Sequence, residues 1–382
     1  MKLSITLIRR NRSDGINLGC KMKLPEIVKD KRFLAARMGN LSQLAGLKRY
    51  EFSDGAAKGV DAVDFRTGGG FDFTVLPGRG MDIAWASCRG VPIAYMAKPG
   101  ITAPEYYEND GINWLRSFFA GLLTTCGLSN VGWPSEYDEP IMGMVKHGLH
   151  GRIANTAADQ VCVKEEWIDG KFRMKVSGRL REAMLHCENM TMIREISASL
   201  GERSVQICDV VENEGFFPRP LMLLYHINIG WPLLDEGSRL VCNPLASESN
   251  SAEAAAAIGD FRSVHAPVNG MKEKVYFHDL PTRADGTTYV GVINDKLEFG
   301  IYVRFNKKQL PEFTQWKQLG EAEYVMGLEP ANCRPVGLAA QEKRGRLEIL
   351  QPGQQKKIEL EIGILVDEDE IRRFEQMVAE LQ

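Results

Sequence analysis

The sequence predicts an all-β protein, a large antiparallel β-sandwich with a few short helices. Three observations carry this. Apolar and polar residues alternate with period two along most of the chain. Glycine and proline cut the alternating runs at short intervals, with about one strand every 10–15 residues, and Asp169-Gly170 is a strong hairpin turn signal. Long helical patterns do not alternate with the strands, which disfavours a parallel α/β sheet.

Residues 29–47 mix polar and apolar side chains and predict one or two short helices. The β-pattern opens at 50–55. The runs 62–67 and 71–76 alternate and are broken by Gly68-Gly69-Gly70 and Pro77-Gly78-Arg79-Gly80. The triple glycine is no phosphate loop, because the following lysine and helix are missing. Residues 104–123 read as irregular and then helical. After Arg152, strands are expected at 160–167, 172–180, 190–199, 204–212, 221–229, 274–278, 288–293, 297–305, 312–318, 322–328, 346–350 and 356–366. The alanine-rich 252–257 predicts a loop or one helical turn. A terminal helix should cover 368–381, with Ile371, Phe374, Met377, Val378 and Leu381 on one stripe. Without a linker or an internal repeat, the expectation is a single domain over 1–382. Residues 1–60 would form an N-terminal strap and 368–382 a C-terminal helix.

Composition narrows the class. Of 382 residues, 25% are charged and 44% hydrophobic, the balance of a soluble globular protein. A formal charge of −3 offers no electrostatic case for nucleic acid or an anionic membrane. No run of about 18 apolar residues suggests a transmembrane helix. The first twelve residues turn basic too early for a signal-peptide core. Eight cysteines without a CxxC pair fit reduced, buried thiols and a cytoplasmic location.

The stretch richest in chemistry runs from Met144 to Arg152. It holds His147 and His150, two glycines and a guanidinium. The glycines oppose a helix, and in an extended segment the two histidines point to opposite faces. One would face a pocket while the other braces a turn. Glycine lets backbone approach a ligand closely, and Arg152 offers donors for hydroxyls or oxyanions. The plainer alternative is a turn whose imidazoles bond to backbone carbonyls. Three further candidates join it. His226 lies inside an alternating strand, Glu329 ends an apolar strand, and Arg79 sits at a tight turn. Burial of Glu329 against a closed pocket would raise its pKa towards general-base range.

Four segments, Leu76 to Ile83, Lys146 to Arg152, Leu224 to Gly230 and Gly327 to Arg334, together resemble the galactose mutarotase (aldose 1-epimerase) superfamily. The chain is most similar to its divergent bacterial branch of aldose-1-epimerase-like proteins. The resemblance implies a large twisted supersandwich with an open cleft on one sheet. It implies interconversion of sugar anomers with no cofactor and no metal. It makes Glu329 the base, His226 the acid and His147 a further catalytic-site histidine that helps hold the ring-oxygen side. Arg79, Asp82, Arg152, Trp316 and Lys317 would be substrate-binding, as would His150, which has no firm counterpart in the family; Trp316 would stack on a sugar face, the alternatives being a buried core tryptophan and, for Arg79, a solvated loop arginine. The chain departs from the family in lacking Gly-Arg-x-x-Asn-Arg before the first histidine; Gly151-Arg152-Ile153-Ala154-Asn155 follows it instead. The implied partner is a small-molecule sugar or sugar derivative, with homo-oligomerisation left open. Two other readings stand beside it. One is a sugar-binding module without turnover. The other is a metal-dependent sugar isomerase using His147, His150, His226 and Glu329.

Overall fold

The structure, a computed structural model, describes residues 30–381. A five-stranded meander opens the described chain: Gly46–Glu51, Asp61–Arg66, Phe71–Leu76, Asp82–Cys88 and Val91–Pro92, each pairing with the next. Two larger sheets follow. One has eight strands, with Phe299–Asn306, Gln355–Leu365, Ser204–Asn213 and Asn189–Ser199 at its centre. The other centres on Glu312–Gly320, Glu323–Ala331 and Arg219–Ile229, and Thr124–Leu128 also pairs with the last of these. Every pairing among the strands is antiparallel. The all-β sandwich is therefore the fold.

The strand Arg219–Ile229 shows how the layers are held. All eleven of its residues are buried, so it has no solvent face. Its odd members Leu221, Leu223, Tyr225, Ile227 and Ile229 join the main core, together with Val205, Ile207 and Val211 of the eight-stranded sheet. Its even members Met222 and Leu224 join a second cluster with Trp114, Phe118 and Cys126. Side chains alternate across a strand, so one strand seals the sandwich and floors a separate hollow. Each fully buried Leu, Ile or Val is worth about 1.5–3 kcal/mol.

The strands expected after residue 158 are present, and the structure adds two short ones that the sequence did not announce, Arg239–Val241 and Ala246–Ser249. Residues 104–123 do not form the expected helix. Only the 3-10 turns Pro104–Tyr106 and Asn113–Arg116 form there, and 117–123 run irregularly over the meander. Tertiary packing explains this: Leu123 bridges Ile83, Ala120 bridges Met96, and a Cβ on Gly121 would lie 2.5 Å from the Ile83 carbonyl oxygen. Helical geometry would not allow that approach.

The helix Lys31–Ala35 and the 3-10 turn Leu41–Gln43 occupy the first predicted helical region. Within the expected strap, Gly46–Glu51 is a strand of the meander, and 1–29 lie outside the described residues. Ser251 caps the short helix Ala252–Ala256. The helix Glu368–Ala379 buries Ile371, Phe374 and Val378 against Tyr289 and Ile293.

No helix among the described residues is long and apolar enough to cross a membrane. The seven described cysteines are free, and four are buried. Cys162 is exposed, because its strand, Asp159–Ile168, is the outermost of its sheet; Cys20 lies outside the described residues.

Candidate active site

Strand register builds the site. Ile227 pairs with Leu328 and Leu224 with Ala331, so His226 lies opposite Glu329 on adjacent strands. Thr314 pairs with Glu329, and Trp316 with Gly327. These side chains share one face of the sheet, the face away from the sandwich core. Their hollow has about 820 Å³ of empty space, and Trp114, Phe118, Trp133, His150 and Trp316 help to wall it.

His226 Nε2 lies 3.1 Å from Glu329 Oε1, and both side chains are almost fully buried. The contact has ion-pair distance but not hydrogen-bond alignment, and Glu329 Oε1 has no partner. His226 Nδ1, Thr314 Oγ1 and Trp114 Nε1 are likewise buried without a protein partner. Buried polar groups are normally satisfied, so three orphans on residues lining one hollow, with Thr314 beside them on the same sheet face, mark a place prepared for something else. Gly327 makes room for them: a Cβ there would stand 2.7 Å from Glu329 Oε1 and 3.2 Å from His226 Cε1.

The electrostatics follow from dryness. Burial pushes the Glu329 carboxyl well above its ordinary value, and nearby Glu273 adds to the rise. Burial pushes His226 down to about 4, and the neighbouring Asn228 side chain partly opposes the shift. Burial favours the neutral form of each group. A carboxylic acid beside a neutral imidazole holds one proton, as does a carboxylate beside an imidazolium. The pair therefore contains one acid and one base in either arrangement.

His226 is boxed by Phe118 at 5.4 Å, Trp316 at 5.3 Å and His150 at 6.1 Å between ring centroids. His150 has φ 57°, a left-handed conformation in which the backbone turns sharply. Its ring lies 4.8 Å from that of Trp114. Its Nδ1 accepts from the Gly132 amide at 3.3 Å, which leaves the proton of the neutral ring on Nε2. Burial first, then the neighbouring His226, lowers its pKa to about 3. It is a neutral hydrogen-bond donor at any physiological pH.

Other predicted residues lie elsewhere. His147 ends the strand Gly143–His147 and pairs with Ser135; it is buried but does not line the hollow. Burial lowers its pKa, Glu188 opposes that, and Arg152 adds to it. Of the two histidines in the stretch, His150 faces the cleft. Gly148 and Gly151 admit close backbone rather than a ligand, since added Cβ atoms would lie 2.6 Å from Asn109 O and 2.4 Å from Gly127 O. Arg152 is exposed, over the Tyr107 ring at 5.7 Å.

Arg79 is not a ligand arm. It is buried, and it donates to the carbonyls of Ala154, Thr102 and Ser117 and to the Thr102 hydroxyl. Burial lowers its pKa to about 10, partly offset by Asp82. Asp82 is fully buried; it pairs with Arg194 at 3.0 Å and accepts from Thr125. Lys317 follows Trp316 and so points to the opposite face, where its Nζ donates to Asp260 O at 2.8 Å. Trp316 does line the hollow, and its Nε1 donates to Glu273 Oε2 at 2.8 Å, which holds the ring in place.

The glycine-flanked stretch 114–127 reads in the sequence as a pocket wall or a core loop, and Trp114 and Phe118 of it line the hollow, but none of Trp114, Phe118, Trp133 and Glu273 stands out there as a site residue. Aromatic residues near glycines at 114–133 were the available signal. Among the described residues, no group of three or more His, Cys, Asp or Glu side chains is disposed to hold a metal ion. His147, His150, His226 and Glu329 do not converge as a ligand set.

The family model described as a domain of unknown function, DUF4432, matches residues 57–364. A protein of Klebsiella pneumoniae subsp. pneumoniae MGH 78578, provisionally named an aldose 1-epimerase, superposes with a TM-score of 0.82 at 22% identity. The match covers 90% of this chain and 91% of that one. A galactose mutarotase-like protein of Clostridium acetobutylicum superposes at 0.56 with 12% identity, over 84% and 99% of the two chains. The galactose 1-epimerase of Lactobacillus acidophilus NCFM does so at 0.53 with 11% identity, over 85% and 99%. No curated protein matches the sequence.

Proposed function

The chain belongs to the DUF4432 family and has the galactose mutarotase-like fold, and from the cleft we propose that it interconverts the anomers of a sugar by acid–base opening and closing of the ring. The observation that carries this reading is the His226–Glu329 pair, 3.1 Å apart, buried and unsatisfied in an aromatic-walled hollow.

Ring opening needs a base for the O1 hydroxyl and an acid for the ring oxygen. Glu329 takes the O1 proton. The O1 electron pair forms the carbonyl as the C1–ring oxygen bond breaks, and His226 protonates the departing ring oxygen. Rotation about C1–C2 and the reverse steps yield the other anomer. Burial suits both partners. A carboxylate whose proton affinity has been raised is a strong base, and an imidazolium whose affinity has been lowered is a strong acid. His150 Nε2–H supplies a neutral donor on the wall, the holding role that the family resemblance attached to His147. Trp316, Trp114 and Phe118 offer apolar faces to the C–H side of a pyranose.

The charged side chains lining the hollow are Glu273 and Glu329, with no lysine or arginine among its described lining residues. An uncharged sugar fits this wall better than a phosphorylated or acidic one, which would meet two carboxyl groups. Anomer exchange by saturation-transfer NMR on a sugar panel tests the proposal. The wild type should exceed the spontaneous rate on an uncharged aldose, and Glu329→Gln should lower kcat by about 10²–10⁴-fold. Near-wild-type turnover by Glu329→Gln would overturn it. Saturable sugar binding with no exchange would replace it by a binding module.

A further inference from the structure

A second hollow adjoins the first. It has about 740 Å³ of empty space and shares Leu115, Phe118, Glu273 and Trp316 with the first as a common wall. Beyond them it is lined by Tyr95, Ala97, Lys98, Gln318 and Glu323. The two hollows lie side by side along the sheet, with Trp316 between them.

The register explains the adjacency. Trp316 pairs with Gly327, Gln318 with Val325 and Gly320 with Glu323, so Glu329, Gly327, Val325 and Glu323 point to the same face as Trp316 and Gln318. From Glu329 to Val325 is four residues, roughly 13 Å along a strand. That exceeds the span of one pyranose ring. The hydrogen bond from Trp316 Nε1 to Glu273 fixes the indole with both hollows against it. The far end carries a Lys98–Glu323 ion pair at 2.7 Å and a hydrogen bond from the Tyr95 hydroxyl to Ala322 O at 3.2 Å. Its lining combines aromatic rings, an amide and one paired charge couple. That chemistry suits an uncharged, hydroxyl-rich ring: an aromatic face to stack on and donors and acceptors at the rim.

We propose that the two hollows together take a short oligosaccharide with a free reducing end, its reducing ring against Glu329 and His226 and its next ring in the Tyr95–Gln318–Glu323 hollow. The placement of the reducing ring rests on the anomer-exchange reading above; the second subsite rests on the second hollow itself.

The experiment therefore reads turnover and binding separately. Exchange would be measured on matched pairs: maltose, cellobiose and lactose against glucose, xylobiose against xylose, and mannobiose against mannose. In at least one pair the disaccharide should have a kcat/KM about tenfold above its monosaccharide, a gain equal to one further set of modest contacts. Ala97→Trp, which fills the second hollow, should bring that ratio to near one. Gln318→Ala, which removes volume and so keeps the hollow open, should lower the ratio only partly. The ratio is internal to each variant, so a loss of folded protein does not mimic the effect. Calorimetry on the wild type with the same sugars is the second readout. Tighter disaccharide binding without exchange would sustain the subsite and overturn the anomer-exchange reading. Exchange of monosaccharides with no disaccharide preference in any pair would overturn the subsite and sustain the reading. Neither binding nor exchange of any of these sugars would overturn both.

Discussion

Tyr225 and His226 are neighbours on one strand, and they serve two buried polar clusters of opposite character. Tyr225 points into the sandwich core, where its hydroxyl donates to Asp209 Oδ2 at 2.6 Å. Arg194 sits between Asp209 at 2.7 Å and Asp82 at 3.0 Å, and also donates to Thr125 and to the Gly80 carbonyl. Two carboxylates and one guanidinium, all fully buried, are closed around each other. His226 points the other way, into a cluster whose acceptor and donor atoms lack partners. A closed network rigidifies, whereas an open one costs stability and waits for a ligand. The contrast separates structure from function more sharply than burial or charge does, since both clusters are buried and both are polar.

The largest effects should come from breaking each cluster at its centre. Glu329→Gln and His226→Asn should each lower kcat by about 10²–10⁴-fold with little change in KM, because the lost interactions form mainly in the transition state. The double variant should be far less than multiplicatively worse. Arg194→Met should do the reverse. It leaves two buried carboxylates uncompensated, and should cost about 3–5 kcal/mol of stability in denaturant titration, with kcat per folded molecule largely kept. Equal loss of stability in Glu329→Gln and Arg194→Met would erase the distinction.

Next in size is Gly327→Ala. Its methyl would press on Glu329 Oε1 at 2.7 Å, and the displaced carboxyl should cost up to about 10²-fold in kcat/KM. If Gly327→Ala were kinetically silent, the tight placement of Glu329 would not matter to turnover.

pH should sharpen the picture further. The working pair holds one proton. Activity should fall as His226 takes a second proton near pH 4, and fall again above the raised carboxyl value of Glu329. The profile should be a broad bell, and Glu329→Gln should lose the alkaline limb. Stability carries a related sign. A carboxyl whose folded pKa is raised favours the folded state only at low pH, and that contribution is lost as pH rises from the unfolded value through the folded one. His226 is depressed, so its contribution is present above the ordinary imidazole value and is lost as pH falls through about 4. Thermal melts of Glu329→Gln and wild type should therefore diverge in favour of the variant as pH rises above the ordinary carboxyl range. A constant difference above that range would show that Glu329 does not titrate there.

The smallest effect separates the two histidines of the central stretch. His150→Asn should raise KM, while His147→Asn should leave kcat and KM little changed. The opposite order would return the holding role to His147.

The strands, the antiparallel sandwich and the terminal helix were legible because each rests on a local rule. Alternation with period two, turn residues and a period-3.6 stripe are properties of neighbouring residues. The His226–Glu329 pair was legible only as two candidates. The hundred or so residues between them say nothing of register, and register is what sets them opposite each other. Arg79 and Asp82 misled because a charged residue at a Gly-rich turn looks the same whether it meets a sugar or, as here, three buried carbonyls for Arg79 and the Arg194 guanidinium for Asp82.

By itself, then, the sequence determined which residues form strands, where they turn, and which chemical groups the chain owns. Tertiary structure decided which groups meet, which are satisfied and which are left waiting. It turned His150 rather than His147 into the cleft through one left-handed residue. It set Lys317 behind the sheet while Trp316 stands in front, and it closed Arg194 around its two aspartates. The physical reason is range. Backbone propensity acts over a few residues, whereas burial and the pairing of polar groups are settled between strands that lie far apart along the chain.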